Sequence, residues 1–155
     1  MAIVIEALAG HDRSRFNSGS EPLDWYLKQT ASQDGKRHLA SCYVALEESG
    51  DICGYYTLSA TSVQVEFLDE IARRKLPRYP DIPAILLGRM AVAKSAQGKG
   101  MGSVLVADAI LRCQRSGIAA YVIVVDAKDQ SAAEFYDKLG FTGLVDKPLR
   151  LFFRL

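Results

Sequence analysis

The stretch with most chemical content is Leu87-Gly88-Arg89-Met90-Ala91-Val92-Ala93-Lys94-Ser95-Ala96-Gln97-Gly98-Lys99-Gly100-Met101-Gly102. An apolar, β-branched run leads into three alternating glycines, and an apolar helical pattern follows. Backbone N–H groups in the first turn of a helix have no intrahelical partner and carry the positive end of the dipole. A glycine turn at that point lets the backbone approach a phosphate with no Cβ in the way. A tight turn with no ligand is the plain alternative. A P-loop, which requires a Gly-Lys-Ser/Thr ending, is absent. A dinucleotide fingerprint fits poorly: Ser103 stands at its third glycine position, and only 29 residues follow Asp126, its candidate ribose-binding acid.

Other chemistries have little material. His11 and His38 lack metal-ligand spacing to each other or to Cys42, Cys53 and Cys113, so no metal site is expected. Three cysteines without a C-x-x-C pair fit reduced thiols in a cytoplasm. The N-terminal residues lack the basic leader of a signal peptide, and no apolar run nears the roughly 20 residues of a membrane helix. With 49% hydrophobic and 24% charged residues in 155, the composition is that of a soluble globular protein. One domain is expected over residues 1–155.

Several elements must position the turn. Ile3 to Leu8 reads as a first strand. Pro22 opens a helix, with Leu23, Tyr26, Leu27 and Thr30 on its buried face. Trp25 lies off that stripe, at the core edge or against a partner. His38 to Glu47 and Ile52 to Phe67 read as an antiparallel hairpin across the Glu48-Ser49-Gly50-Asp51 turn. Phe67 to Lys75 reads as a short helix, and Pro77, Pro80 and Pro83 as a loop. Ala84 to Ala93 and Ala119 to Val125 read as buried strands, separated by a helix over Met101 to Ser116. Ser131 to Leu139 reads as a helix capped by a Ser131–Glu134 box and ended by Gly140. A last strand is expected over Leu149 to Leu155. The pattern predicts a mixed α/β domain.

Gln97, Gly100 and Gly102 together resemble the pyrophosphate loop of the GNAT acetyltransferase superfamily. Arg89-Met90-Ala91-Val92 resembles that superfamily's strand for the pantetheine arm of acetyl-CoA. The run Ser131 to Phe141, with Tyr136 before Gly140-Phe141, resembles its closing motif. The resemblance implies a GNAT fold, a twisted mixed sheet flanked by helices. It implies acetyl-CoA on Met90, Ala91, Val92, Gln97, Gly98, Lys99, Gly100, Met101 and Gly102. It also implies Tyr136 as the catalytic acid. Tyrosine keeps its proton near neutral pH and suits donation to a departing thiolate. The helical stripe of Ala132, Phe135, Tyr136 and Leu139 buries its ring in either a catalytic or a packing role.

A narrower resemblance, to the GNAT toxins of bacterial toxin–antitoxin pairs, rests on three further runs. These are His11-Asp12-Arg13-Ser14 with Phe16; Leu23-Asp24 with Tyr26-Leu27; and Lys75-Leu76-Pro77-Arg78-Tyr79-Pro80 with Leu86-Leu87-Gly88-Arg89. Ser18 departs from relatives that carry cysteine there. The resemblance implies acetylation of the α-amine of aminoacyl-tRNA, a block of translation, and a ribbon–helix–helix antitoxin as partner. It leaves a homodimer open. A small-molecule amine or protein amine as acceptor, or a non-catalytic acetyl-CoA-binding module, are the alternatives. The expected tRNA contacts are Arg73, Arg74, Lys75, Arg78 and Arg89, whose charge would serve phosphates; ordinary solvated charge is the other reading. The net charge of +1 hides a division: residues 71–117 hold nine basic and two acidic residues, the remainder ten and sixteen.

Overall fold

The computed structural model describes residues 2–145 and 147–155. Seven strands are formed: β1 (Val4–Ala7), β2 (Ser41–Leu46), β3 (Ile52–Gln64), β4 (Asp81–Val92), β5 (Val122–Asp126), β6 (Thr142–Leu144) and β7 (Lys147–Arg154). The helices are α1 (Glu21–Gln29), α2 (Ala31–Lys36), α3 (Glu70–Arg74), α4 (Met101–Arg115) and α5 (Gln130–Lys138). The sheet order is β1-β2-β3-β4-β5-β7-β6. The β1–β2, β2–β3, β5–β7 and β6–β7 pairs are antiparallel and β4–β5 is parallel, so the sheet is mixed as predicted. The chain divides into two compact units, one running to Ser59 and including Gly88–Leu111, the other Ala60–Leu87 with Arg112–Leu155.

The first unit is built on the predicted hairpin. Gly50 takes φ +89° in its turn, a conformation that glycine adopts without strain. Tyr26 and Leu27 of α1 pack with Phe16, Val44, Tyr55 and Ala91 into one cluster. Pro22 lies in the first turn of α1 as expected, but Trp25 is 62% exposed, so it is no core-edge residue. The short α2 was not anticipated: only Ala31 is buried, and a sequence of Ser, Gln, Asp, Gly and Lys offers no apolar period.

Two close contacts in this unit set the position of the glycine turn. A Cβ on Gly54 of β3 would lie 3.0 Å from Leu105 Cδ1 and 3.2 Å from the Ala91 carbonyl oxygen. A side chain there would need both neighbours to give by a few tenths of an ångström, which favours glycine at this approach of helix and strand. The Tyr56 hydroxyl donates to the Asp108 carboxylate, tying β3 to α4. Leu105, Val106 and Ala109 form the buried face of α4.

In the second unit, β5 is buried from Val122 to Val125, as its continuous apolar run demands. Val122 and Val124 pack with Val63, Leu68, Ile82, Ala84, Leu144 and Phe152. Pro83 lies within β4 instead of the predicted loop. Its exposed position just precedes Ala84, where pairing with β5 begins, so the missing N–H interrupts no bond of that ladder. Helix α5 is capped by Asp129, whose Oδ1 accepts from the Ala132 N–H at 2.8 Å, and not by the expected Ser131 box. An N-cap carboxylate meets the N3 amide, and Asp129 reaches it first. Gly140 ends the helix at φ +101°, as predicted, with Phe153 packed 3.3 Å from where a Cβ would be. No helix among the described residues is long and apolar enough to cross a membrane.

Candidate active site

The glycine turn lies between the end of β4 and the start of α4. Gly98 and Gly100 have φ of +76° and +81°, and a Cβ on either would meet nothing within 4 Å. The glycines are therefore required by backbone conformation, not by crowding, and the space before them is open. Met101 and Gly102 begin α4, so their amides are in the turn without intrahelical acceptors. The Lys99 ammonium folds back to the Ser95 carbonyl at 3.2 Å, which holds a positive charge beside the turn and leaves two of its three donors available. Free amides, open space and a nearby ammonium are the features by which a helix start can hold an anion.

Gln97 lies at the entry to the turn with its side chain turned to the protein. Its Nε2 donates to the carbonyls of Ser18 (2.8 Å) and Val92 (2.9 Å). The side chain thus fastens the turn to the strand end and to the Asn17–Ser20 loop. A second strap runs from the Lys94 N–H to the Asn17 carbonyl at 2.8 Å. The loop is itself fixed, since Asp24 Oδ1 accepts from both the Ser18 hydroxyl (2.6 Å) and the Ser18 N–H (3.0 Å). Ser18 is therefore an oxygen anchor. Its role was invisible in sequence, because a six-residue separation matches no common local side-chain–backbone pattern.

Met90, Ala91 and Val92 end β4, with Ala91 buried and the other two partly so. Just before them, the Arg89 N–H donates to Thr57 Oγ1 at 3.0 Å, and Thr57 is buried. The Arg89 guanidinium lies 3.9 Å from the centroid of the Tyr26 ring. Arg89 is exposed and belongs to the first unit, apart from the other candidate tRNA residues.

Those others are on α3 and the loop after it, in the second unit. Arg73 and Arg78 line one groove of about 550 Å³ with Glu66, Tyr79 and Asp81. Arg74 is drawn instead to Glu70, one helical turn back, and Lys75 follows at the helix end, exposed. Four acids, Glu66, Asp69, Glu70 and Asp81, thus accompany the four expected cations between residues 66 and 81.

Tyr136 is on α5 with its ring between Phe135 (5.2 Å between centroids) and Phe141 (5.4 Å). It is 8% exposed. Its hydroxyl has no hydrogen-bond partner among the described residues, nor is that oxygen sealed from solvent. Burial disfavours the phenolate and pushes the pKa up to about 12. The group therefore holds its proton throughout the neutral range. Asp126, the residue a dinucleotide site would have used, is 3.3 Å from the Arg150 Nε and paired in the β5–β7 ladder.

Comparison with known proteins places these parts in a family. The acetyltransferase (GNAT) domain family matches residues 38–143, spanning β2, the glycine turn and Tyr136. The tRNA-acetylating toxin of Mycobacterium tuberculosis is 34% identical over 142 residues, 90% of this chain and 84% of that protein. The structure of AtaT complexed with acetyl-methionyl-tRNAfMet is 29% identical, superposes with a TM-score of 0.89, and covers 99% of this chain and 95% of its own. A tyrosine-to-phenylalanine mutant of the AtaT toxin, bound to the C-terminus of the antitoxin AtaR and to acetyl-CoA, is 28% identical with a TM-score of 0.79, covering 98% and 92%. A family match over residues 38–143, from β2 to beyond Tyr136, and a 34% identical relative over 90% of the chain have one meaning: this chain belongs to the GNAT acetyltransferases.

Proposed function

We propose that the protein is an acetyl-CoA-dependent N-acetyltransferase that modifies the α-amine of aminoacyl-tRNA and so blocks translation, with its two units acting as one acetyltransferase domain. The likeness to AtaT in complex with acetyl-methionyl-tRNAfMet over 99% of this chain carries the choice of acceptor. The open turn at Gly98 and Gly100 supports the donor, because its conformation and free space suit a pyrophosphate.

Acetyl-CoA, when bound, supplies an acetyl thioester whose sulfur departs as the amide forms. The amides of Gly98 to Gly102 and the Lys99 ammonium hold the pyrophosphate. The backbone of Met90, Ala91 and Val92 takes the pantetheine arm, and Gln97 keeps strand and turn in register. Tyr136 gives its proton to the departing sulfur. The attacking amine needs no dedicated base: a free α-amino group titrates near about 7.7–8.0, so a useful fraction is neutral in the cytoplasm. Its surplus proton passes to solvent after the new C–N bond forms.

The acceptor's phosphates fall to Arg73, Lys75, Arg78 and Arg89, with Arg74 kept at Glu70. A ribbon–helix–helix antitoxin that covers the site, and assembly as a homodimer, complete the reading. Mass spectrometry of bulk charged tRNA incubated with the protein and acetyl-CoA tests it. N-acetylated aminoacyl ends are the expected product. Acetylation of peptides or polyamines with none on charged tRNA would overturn it.

A further inference from the structure

Arg89 is held in an unusual way for an exposed arginine. Its backbone N–H is fixed by the buried Thr57 hydroxyl at 3.0 Å, and its guanidinium lies on the Tyr26 face, 3.9 Å from the centroid. That ring cannot turn away. It is buried, it stacks on Tyr55 at 6.4 Å with 16° between planes, and its hydroxyl donates to Asp34 Oδ2 at 2.8 Å. Tyr55 is fixed in turn by its hydroxyl's 2.6 Å bond to the Leu23 carbonyl. The ring's negative face attracts the cation, and stacking of this kind leaves a guanidinium's in-plane N–H donors free for other partners. No carboxylate among the described residues pairs with Arg89. A planar fork of donors, immobilised at the root and on one face and lacking an anion, is prepared for a bidentate oxyanion.

We propose that Tyr26, braced by Asp34, is the positioning residue that holds Arg89 ready for a backbone phosphate of the nucleic-acid acceptor. This rests on the aminoacyl-tRNA reading above. Stacking removes the rotamer freedom that a long arginine would otherwise lose on binding. The same oxyanion chemistry is present in the phosphates of acetyl-CoA, so the two sources must be separated by experiment.

A double-mutant cycle does so, with KM measured for each substrate. Arg89→Gln should raise KM for aminoacyl-tRNA roughly tenfold or more, leave KM for acetyl-CoA unchanged, and lower the salt slope of tRNA binding, read by fluorescence anisotropy with uncharged tRNA, by about 0.7–0.9. Tyr26→Leu should raise the same KM about fivefold, and add nothing in the Arg89→Gln background. Tyr26→Phe keeps the ring and should restore most of the loss, which serves as the check if the leucine variant folds poorly. A rise in KM for acetyl-CoA alone, or an equal effect of Tyr26→Leu in both backgrounds, would overturn the assignment. A wild-type protein that acetylates no charged tRNA would instead defeat the functional reading itself.

Discussion

Gln97 Nε2 donates to the carbonyl of Ser18, a residue 79 positions earlier, at 2.8 Å. The glycine turn is thus held from outside its own motif. Replacing Gln97 with Ala should remove the tie to both Ser18 and Val92 without touching the ligand's own donors. We expect KM for acetyl-CoA to rise several-fold with kcat little changed, and hydrogen exchange to quicken at residues 17–20. An unchanged KM with unchanged exchange would reduce Gln97 to a bystander.

Gly100 tests the cradle itself. An Ala at φ +81° meets no neighbour, so its effect is confined to the backbone and to the space a phosphate would enter. The left-handed conformation costs an alanine about 1–2 kcal/mol. Affinity for acetyl-CoA, measured by calorimetry, should fall by more than thermal stability does. Equal, small losses in both would mean that the turn binds nothing.

Tyr136→Phe removes one oxygen from a packed ring whose neighbours, Phe135 and Phe141, are unaffected. Melting temperature and acetyl-CoA binding should remain near wild type, while single-turnover transfer falls about 10²–10⁴-fold. Transfer at the wild-type rate would exclude Tyr136 from the chemistry.

The pH profile follows from the same group. Its pKa is raised from 10.0 to about 12 by burial, so folding favours its protonated form. That contribution to stability is complete below about pH 10 and is lost as pH rises through the raised value. Tyr136 therefore imposes no fall in rate between pH 6 and 10. The rate should climb with the neutral amine up to about pH 8, then level. Tyr136→Phe should lower the plateau without moving the midpoint; a midpoint that shifts in the variant would assign the ascending limb to the enzyme instead.

A fourth side chain separates cap from motif. Asp129→Ala should destabilise the protein by about 1 kcal/mol, the usual worth of an N-cap. Ser131→Ala should be close to neutral, because Asp129 holds the Ala132 amide. Chemical denaturation of the pair decides the matter, and the reverse ranking would restore the serine box.

The strand, glycine turn and helix from β4 to α4 were legible because each signal was local: a continuous apolar run, alternating glycines, an apolar face. The Glu48–Asp51 turn and Gly140 were legible for the same reason. What stayed hidden was decided by competition or by distance. Asp129 and Ser131 could each cap α5, and only the chain path selects between them. The α2 segment has no apolar period, and β6 is three residues long. The pairing of Glu70 with Arg74 on α3, by contrast, is an i,i+4 contact and follows from the helix spacing itself. The tie from Gln97 to Ser18 was hidden because the two residues lie far apart in sequence.

Gly54 carries one more implication. Part of its obstacle is the Ala91 carbonyl, which belongs to a strand backbone and cannot rotate aside as a side chain does. A larger residue there needs the β4 backbone and the Leu105 side chain of α4 to give by a few tenths of an ångström, and Gly54 is itself buried. Gly54→Ala is thus a natural position for a conditional allele: folded and active in cool cultures, lost on warming, and so a genetic handle on the protein that works through the spacing of β3, β4 and α4.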